Sequence, residues 1–157
     1  MIDKKQHCGV CQRIKAIKEG ANPFFVTELE TGYVVLGDSQ FYQGYTLFLS
    51  KKHATELHFL PSKFAIKYLQ ELMLVGKAVW NTFKPEKLNY ELLGNSEPHL
   101  HWHIFPRHKE DPKRRYPVWC YNENIRNAKK YFPNPKKLAY LKNKLLKKIN
   151  ELYYNKR

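Results

Sequence analysis

The stretch His99-Leu100-His101-Trp102-His103-Ile104-Phe105 decides how the chain is read. Imidazole and apolar residues alternate from His99 to Ile104, and an extended strand sends successive side chains to opposite faces. The three imidazoles therefore share one face, while Leu100, Trp102 and Ile104 point the other way into a core. Core packing accounts for the apolar side but gives no reason for three polar rings on the reverse, because unpaired buried polar groups are costly. The bland alternative is a solvent-facing strand that happens to carry three histidines. A single metal ion does not hold all three, since His99 and His103 lie about 13 Å apart along an extended strand. The rings need at least two different jobs.

Outward from this stretch, the chain mixes strands with one long helix. Phe24 to Glu30 and Tyr33 to Gly37 read as a hairpin joined at Thr31-Gly32, where glycine permits the turn. Tyr45 to Ser50 is rich in aromatic and β-branched residues and reads as a third strand. Phe64, Tyr68, Leu69, Leu72, Val75, Val79 and Phe83 then recur at helical spacing, with Pro61-Ser62 as the entry and Pro85 closing the end. Leu88 to Leu93 alternates again, and Asn95-Ser96 marks a turn before the histidine strand. No regular strand-helix alternation runs through these elements, so the expected class is α+β, a mostly antiparallel sheet packed with one long helix and a C-terminal helix. That last helix is read from Leu138, Leu141, Leu145, Ile149 and Leu152, which form an apolar stripe among lysines. A core domain of residues 1–110, which includes the Cys8–Cys11 segment, and a basic extension of residues 111–157 ending in the amphipathic helix are the expected divisions.

Lys and Arg outnumber Asp and Glu by 28 to 14, which favours an anionic partner over a cationic one without saying which anion. No apolar run approaches the roughly 20 residues of a membrane span, and Met1 to Gln6 is polar, so the expected location is the cytoplasm and no membrane partner is expected. Cys8-Gly9-Val10-Cys11 has a spacing that suits a metal or a redox pair better than a secreted disulfide framework. Two cysteines alone leave a tetrahedral zinc site half built, and His7 and His58 are possible nitrogen ligands. Cys120 falls in the tail and is assigned no role.

The histidine stretch resembles the defining motif of the histidine-triad (HIT) family, whose pattern is His, apolar, His, apolar, His and two apolars. Asn89-Tyr-Glu-Leu-Leu-Gly-Asn-Ser-Glu-Pro-His-Leu-His-Trp-His-Ile-Phe-Pro-Arg107 resembles the family's region around its triad, and residues 8 to 107 follow the family layout. The resemblance implies that His101 attacks the α-phosphorus of a nucleotide to form a covalent nucleotidyl-histidine, with the His99 carbonyl fixing its tautomer. It implies that His103 donates a hydrogen bond to a phosphate or leaving oxygen, and that Asn95, Ser96, Asp38 and Arg107 contact the nucleotide. Two-step covalent chemistry by a neutral imidazole is physically sensible at pH 7. The family layout also completes a Cys2His2 structural zinc site from Cys8, Cys11, His53 and His99. No organic cofactor is expected. One position departs from the pattern: many members carry a further histidine after the glycine that opens the third strand, and here Tyr45 follows Gly44.

The expected function is hydrolysis of dinucleoside polyphosphates, such as diadenosine tetraphosphate, or of related nucleotide conjugates by a homodimer. A nucleotidyl transferase or phosphorylase would use the same nucleophile with another acceptor. A reading of a different class is a nucleotide-sensing, nucleic-acid-associated module whose footprint is Arg107, Lys113, Arg114, Arg115 and the lysines from Lys136 onward, interleaved with Tyr116, Trp119 and Tyr121.

Overall fold

The computed structural model describes residues 8–154, so His7 lies outside the described residues. The chain runs α1 (Gly9–Lys18), β1 (Phe25–Glu28), β2 (Gly32–Leu36), β3 (Thr46–Ser50), α2 (Ser62–Phe83), β4 (Lys87–Glu91) and β5 (His101–Arg107). A short helix, α3 (Glu123–Arg126), and a long one, α4 (Pro135–Tyr154), follow. The five strands form one antiparallel sheet in the order β1-β2-β3-β5-β4. The α+β expectation holds.

Period-two patterning divides the sheet into two working faces. Val34, Leu36, Phe48 and Ile104 face α2 and α4, where Tyr68, Leu72, Val75 and Val79 meet Leu138, Leu141, Leu145 and Ile149 in one core. The spacing of those α2 residues, four, three and four, lays them on one helical face. Leu69 shares their periodicity in sequence but is partly exposed, beside Ile66 and Met73 on the outward side. Tyr33, Val35, Leu47 and Leu49 cover the reverse face, and Val10, Ile14 and Ile17 of α1 pack on them. Because β5 pairs His103 with Leu47 and His101 with Leu49, both histidines lie on the α1 face. Leu100, Trp102 and Ile104 belong to the opposite core, as the alternation predicts.

The hairpin turn has a reason the sequence does not show. Glu71 of α2 is buried, and its carboxylate accepts from the Glu30 and Thr31 backbone N–H groups at 3.0 and 2.9 Å and from the Thr31 hydroxyl. Gly32 is needed for close approach: a Cβ there would lie 2.6 Å from the Leu49 carbonyl oxygen and 2.5 Å from the Phe48 ring. The helix-to-turn clasp thus sets where the sheet meets α2. Removing this carboxylate strands the buried Thr31 N–H and the part-buried Glu30 N–H, so Glu71→Ala should destabilise the protein by about 3 kcal/mol in urea unfolding. A loss below about 1 kcal/mol would show that water or other groups satisfy this turn.

Candidate active site

Strand β5 begins at His101, and His99 sits on a bend before it, held by a 2.7 Å hydrogen bond from its N–H to the Glu97 carbonyl. The expected strand of three histidines is therefore two residues shorter at its start. The physical reason is Pro98, which the i to i+2 turn spans. The backbone bend assigns the rings to two clusters. His99 joins Cys8, Cys11 and His53, whose ligand atoms lie within 4.8 Å of one another. His101 and His103 stay together, with ring centroids 4.7 Å apart.

In the first cluster, His99 Nδ1 lies 3.5 Å from Cys8 Sγ, 3.4 Å from Cys11 Sγ and 3.2 Å from His53 Nδ1, and Cys11 Sγ is 3.3 Å from His53 Nδ1. A tetrahedral zinc with ordinary bond lengths needs nitrogen pairs about 3.3 Å apart and nitrogen–sulfur pairs about 3.6 Å apart. The donor set fits. His99 Nε2 donates to the Ser50 carbonyl at 2.9 Å, which leaves the Nδ1 lone pair facing the thiols. Burial, the first cause, lowers the His99 pKa, partly offset by that bond to Ser50. His58 is exposed and packs on Phe59, outside this cluster.

The cluster also positions α1. Cys8 caps the helix by accepting from Cys11 N at 3.4 Å, and the Glu97 carboxylate accepts from Gly9 N at 2.8 Å. The loop before β5 and the start of α1 are thereby tied together beside the histidines.

In the second cluster, His101 Nδ1 lies 2.6 Å from the His99 carbonyl oxygen. A carbonyl only accepts, so Nδ1 carries a proton, and the neutral ring is then the tautomer with its lone pair on Nε2. The His101 ring borders a cavity of about 100 Å³ with Leu92, Gly94, His58 and His99. A roomier cavity of about 590 Å³ lies elsewhere, between α2 and the hairpin turn, and its lining of Thr31, Lys52, Phe64 and Lys67 includes no histidine or cysteine.

His103 Nδ1 is 2.6 Å from the Tyr45 hydroxyl. Burial raises the Tyr45 pKa far above its ordinary value, so the phenol keeps its proton, and Nδ1 is its one acceptor among the described residues. The proton of neutral His103 is then on Nε2, the nitrogen opposite Tyr45. Burial first, then His101 and then Arg126 push the His103 pKa down to about 3, so the ring is uncharged at neutral pH. Tyr45, immediately before β3, thus supports His103 through its hydroxyl; its ring also stacks on Phe105 at 4.1 Å.

The four expected nucleotide contacts fare differently. Asn95 and Ser96 are exposed on the β4–β5 loop. Asp38 lies in the loop just after β2, with both carboxylate oxygens 2.7 Å from the Arg13 guanidinium. Arg107 does not suit a ligand contact: its side chain is 3% exposed, and it donates to Asp111, Asn89 and the Tyr116 and Lys113 carbonyls. It clasps the chain after β5 and has one N–H left of five. Sequence reasoning placed Trp119 only in the nucleic-acid footprint, whereas its ring centroid is 5.7 Å from both His103 and Phe105. No motif marks it, because it reaches the cleft from a segment without regular periodicity.

The sequence model described as HIT domain matches residues 19–110. No curated protein sequence matches the chain. Among solved structures, a histidine triad protein from Marinobacter aquaeolei VT8 is 23% identical with a TM-score of 0.69, covering 82% of this chain and 89% of its own. A Zn-bound histidine triad family protein from Mycobacterium smegmatis is 18% identical with a TM-score of 0.61, over 96% of this chain and 99% of its own. A diadenosine triphosphate hydrolase from Plasmodium falciparum, solved with Cyclomarin A, is 16% identical with a TM-score of 0.56, over 82% and 78%. At these identities the likeness is one of fold.

The depressed pKa of His103 has a consequence for stability. Below its ordinary pKa near 6.5 the unfolded chain protonates this ring, while the folded protein resists until about pH 3, so stability falls as pH drops through that window. The melting temperature should decline from pH 7 to pH 4, and less steeply in His103→Gln. Equal slopes in the two proteins would show that His103 titrates normally.

Proposed function

The chain belongs to the HIT-domain family, and on that premise we propose that it hydrolyses dinucleoside polyphosphates, such as diadenosine tetraphosphate, or related nucleotide conjugates through a covalent intermediate on His101. Proteins of the family are generally nucleotide hydrolases or transferases. The observation that carries the proposal is the 2.6 Å contact between His101 Nδ1 and the His99 carbonyl, which fixes the ring and, in the neutral imidazole that attacks, leaves the lone pair on Nε2.

The proposed reaction has two displacements. His101 Nε2 attacks the α-phosphorus, a P–N bond forms, and the P–O bond to the rest of the phosphate chain breaks with its electron pair on the departing oxygen. His103 Nε2–H donates a hydrogen bond where that negative charge grows. Water then attacks the same phosphorus, releases the nucleotide and returns the electron pair to His101. Another acceptor in place of water would make the protein a transferase or phosphorylase. Asn95 and Ser96 supply neutral donors from the loop, and Asp38 can accept from a ribose hydroxyl only through lone pairs left over from Arg13.

Cys8, Cys11, His53 and His99 would hold a zinc ion in a structural role. Four protein ligands leave no open coordination position, so the ion contributes folding energy and rigidity. The thiols suit a reducing cytoplasm, where we place the protein. No helix among the described residues is long and apolar enough to cross a membrane. A homodimer is supported by the outward face of α2, where Ile66, Met73 and Trp80 are exposed, and by the outer edge of β4, which pairs with no strand among the described residues.

His101→Ala should lower turnover of diadenosine tetraphosphate by about 10³-fold or more while the melting temperature stays near that of the wild type. Hydrolysis at the wild-type rate would remove His101 as nucleophile. Metal analysis of purified protein should find one zinc per chain, lost in the Cys8→Ser, Cys11→Ser double variant together with a marked drop in melting temperature. Full zinc content in that variant would place the ion elsewhere.

A further inference from the structure

We propose that Trp119 and Arg126, from the segment after β5, form a subsite for the phosphate chain of the nucleotide, with Trp119 as its wall and Arg126 as its cation. The proposal rests on the reading of His101 and His103 as the residues that meet the nucleotide. Both residues lie beyond the stretch matched by the family's sequence model, which ends at residue 110.

The segment is held beside His103 and Phe105 from two sides. The Ser39 hydroxyl donates to the Arg126 carbonyl, the Tyr42 hydroxyl donates to the Val118 carbonyl at 3.0 Å, and Gln40 N donates to the Tyr131 carbonyl at 2.9 Å. From β4, the Glu91 carboxylate accepts from Trp119 Nε1. The indole therefore stands edge-on to His103 in a set position, and the Arg126 guanidinium lies over the indole, 4.6 Å from its centroid.

Arg126 is half-buried yet lacks a counter-ion. Arg13, Arg107 and Arg114 each meet a carboxylate, at Asp38, Asp111 and Glu86. Among the described residues Arg126 forms no ion pair, and its side-chain hydrogen bond runs from Nε to the Tyr121 carbonyl at 3.0 Å. Four N–H groups of a fixed fork are left for an acceptor. Holding an unpaired cation partly out of water is unfavourable, and an anion in the cleft would offset that cost. Its charge already acts on His103, helping to keep that ring neutral.

The catalytic pair makes such a cation necessary. His101 must be neutral to attack and His103 is neutral at pH 7, so neither ring balances the charge of a phosphate chain. Asn95 and Ser96 are neutral as well, and Arg107 is already paired with Asp111. Arg126 reaches the site over the indole that meets His103, with a planar fork suited to phosphate oxygens.

The test is calorimetric binding of α,β-methylene ATP, which cannot be cleaved at the α-phosphorus, to the wild type, Arg126→Gln and Arg126→Lys. We expect Arg126→Gln to bind about tenfold or more weakly and Arg126→Lys to recover much of the loss, with a shallower salt dependence in the Gln variant. Unchanged affinity in Arg126→Gln overturns the subsite, and so does an equal loss in the Gln and Lys variants, which would mark a structural role. The hydrolase reading is tested separately. Binding that depends on Arg126 in a protein that hydrolyses no dinucleotide would retain the subsite and retire the reaction. Normal hydrolysis with an Arg126→Gln variant of unaltered affinity would do the reverse.

Discussion

His99 carries the constraint on which the site depends, because one residue is held at three points. Its Nδ1 faces two thiols and a second imidazole, its Nε2 is bonded to Ser50 on the neighbouring strand, and its carbonyl grips His101. A ring anchored on both nitrogens cannot swing, so the carbonyl behind it cannot drift. The metal-ligating cluster and the nucleophile are thus coupled through a single peptide unit. A metal in the cluster would act on the chemistry only by holding this unit still.

The rest of the fold sets up that unit. β5 lies between β3 and β4, with α2 and α4 covering its apolar side, which places the polar side under α1 and the strap after β5. A slip of one residue in register would exchange His101 and His103 for Trp102 and Ile104. Burial of Ile104 and Leu100 makes such a slip unfavourable. The same packing withdraws His103 from water and keeps it uncharged, so core and chemistry share one physical origin.

Much of this was legible in the residues. Alternation from His99 to Phe105 located the strand and its two faces, helical spacing located α2 and α4, and the paired cysteines marked the metal-ligating cluster. What escaped was long-range. Glu71 reads as an ordinary surface acid on a helix until it is found under the hairpin turn. Arg107, adjacent to the motif, looked like a ligand contact and is instead a clasp, while Arg126 lies nineteen positions later in a stretch with no period. Tyr45 was visible as a departure from the family pattern, but only the fold shows that its hydroxyl meets His103. Local periodicity reports which face a residue occupies; it does not report which distant loop closes over that face.

The central claim is that the His99 carbonyl holds His101 as the tautomer with a bare Nε2. The ring-nitrogen chemical shifts of His101 in 15N-labelled protein at neutral pH read this directly. The account predicts a protonated Nδ1 and an unprotonated Nε2. A proton on Nε2 with a bare Nδ1 would contradict it, because the nitrogen facing the cleft could then not attack.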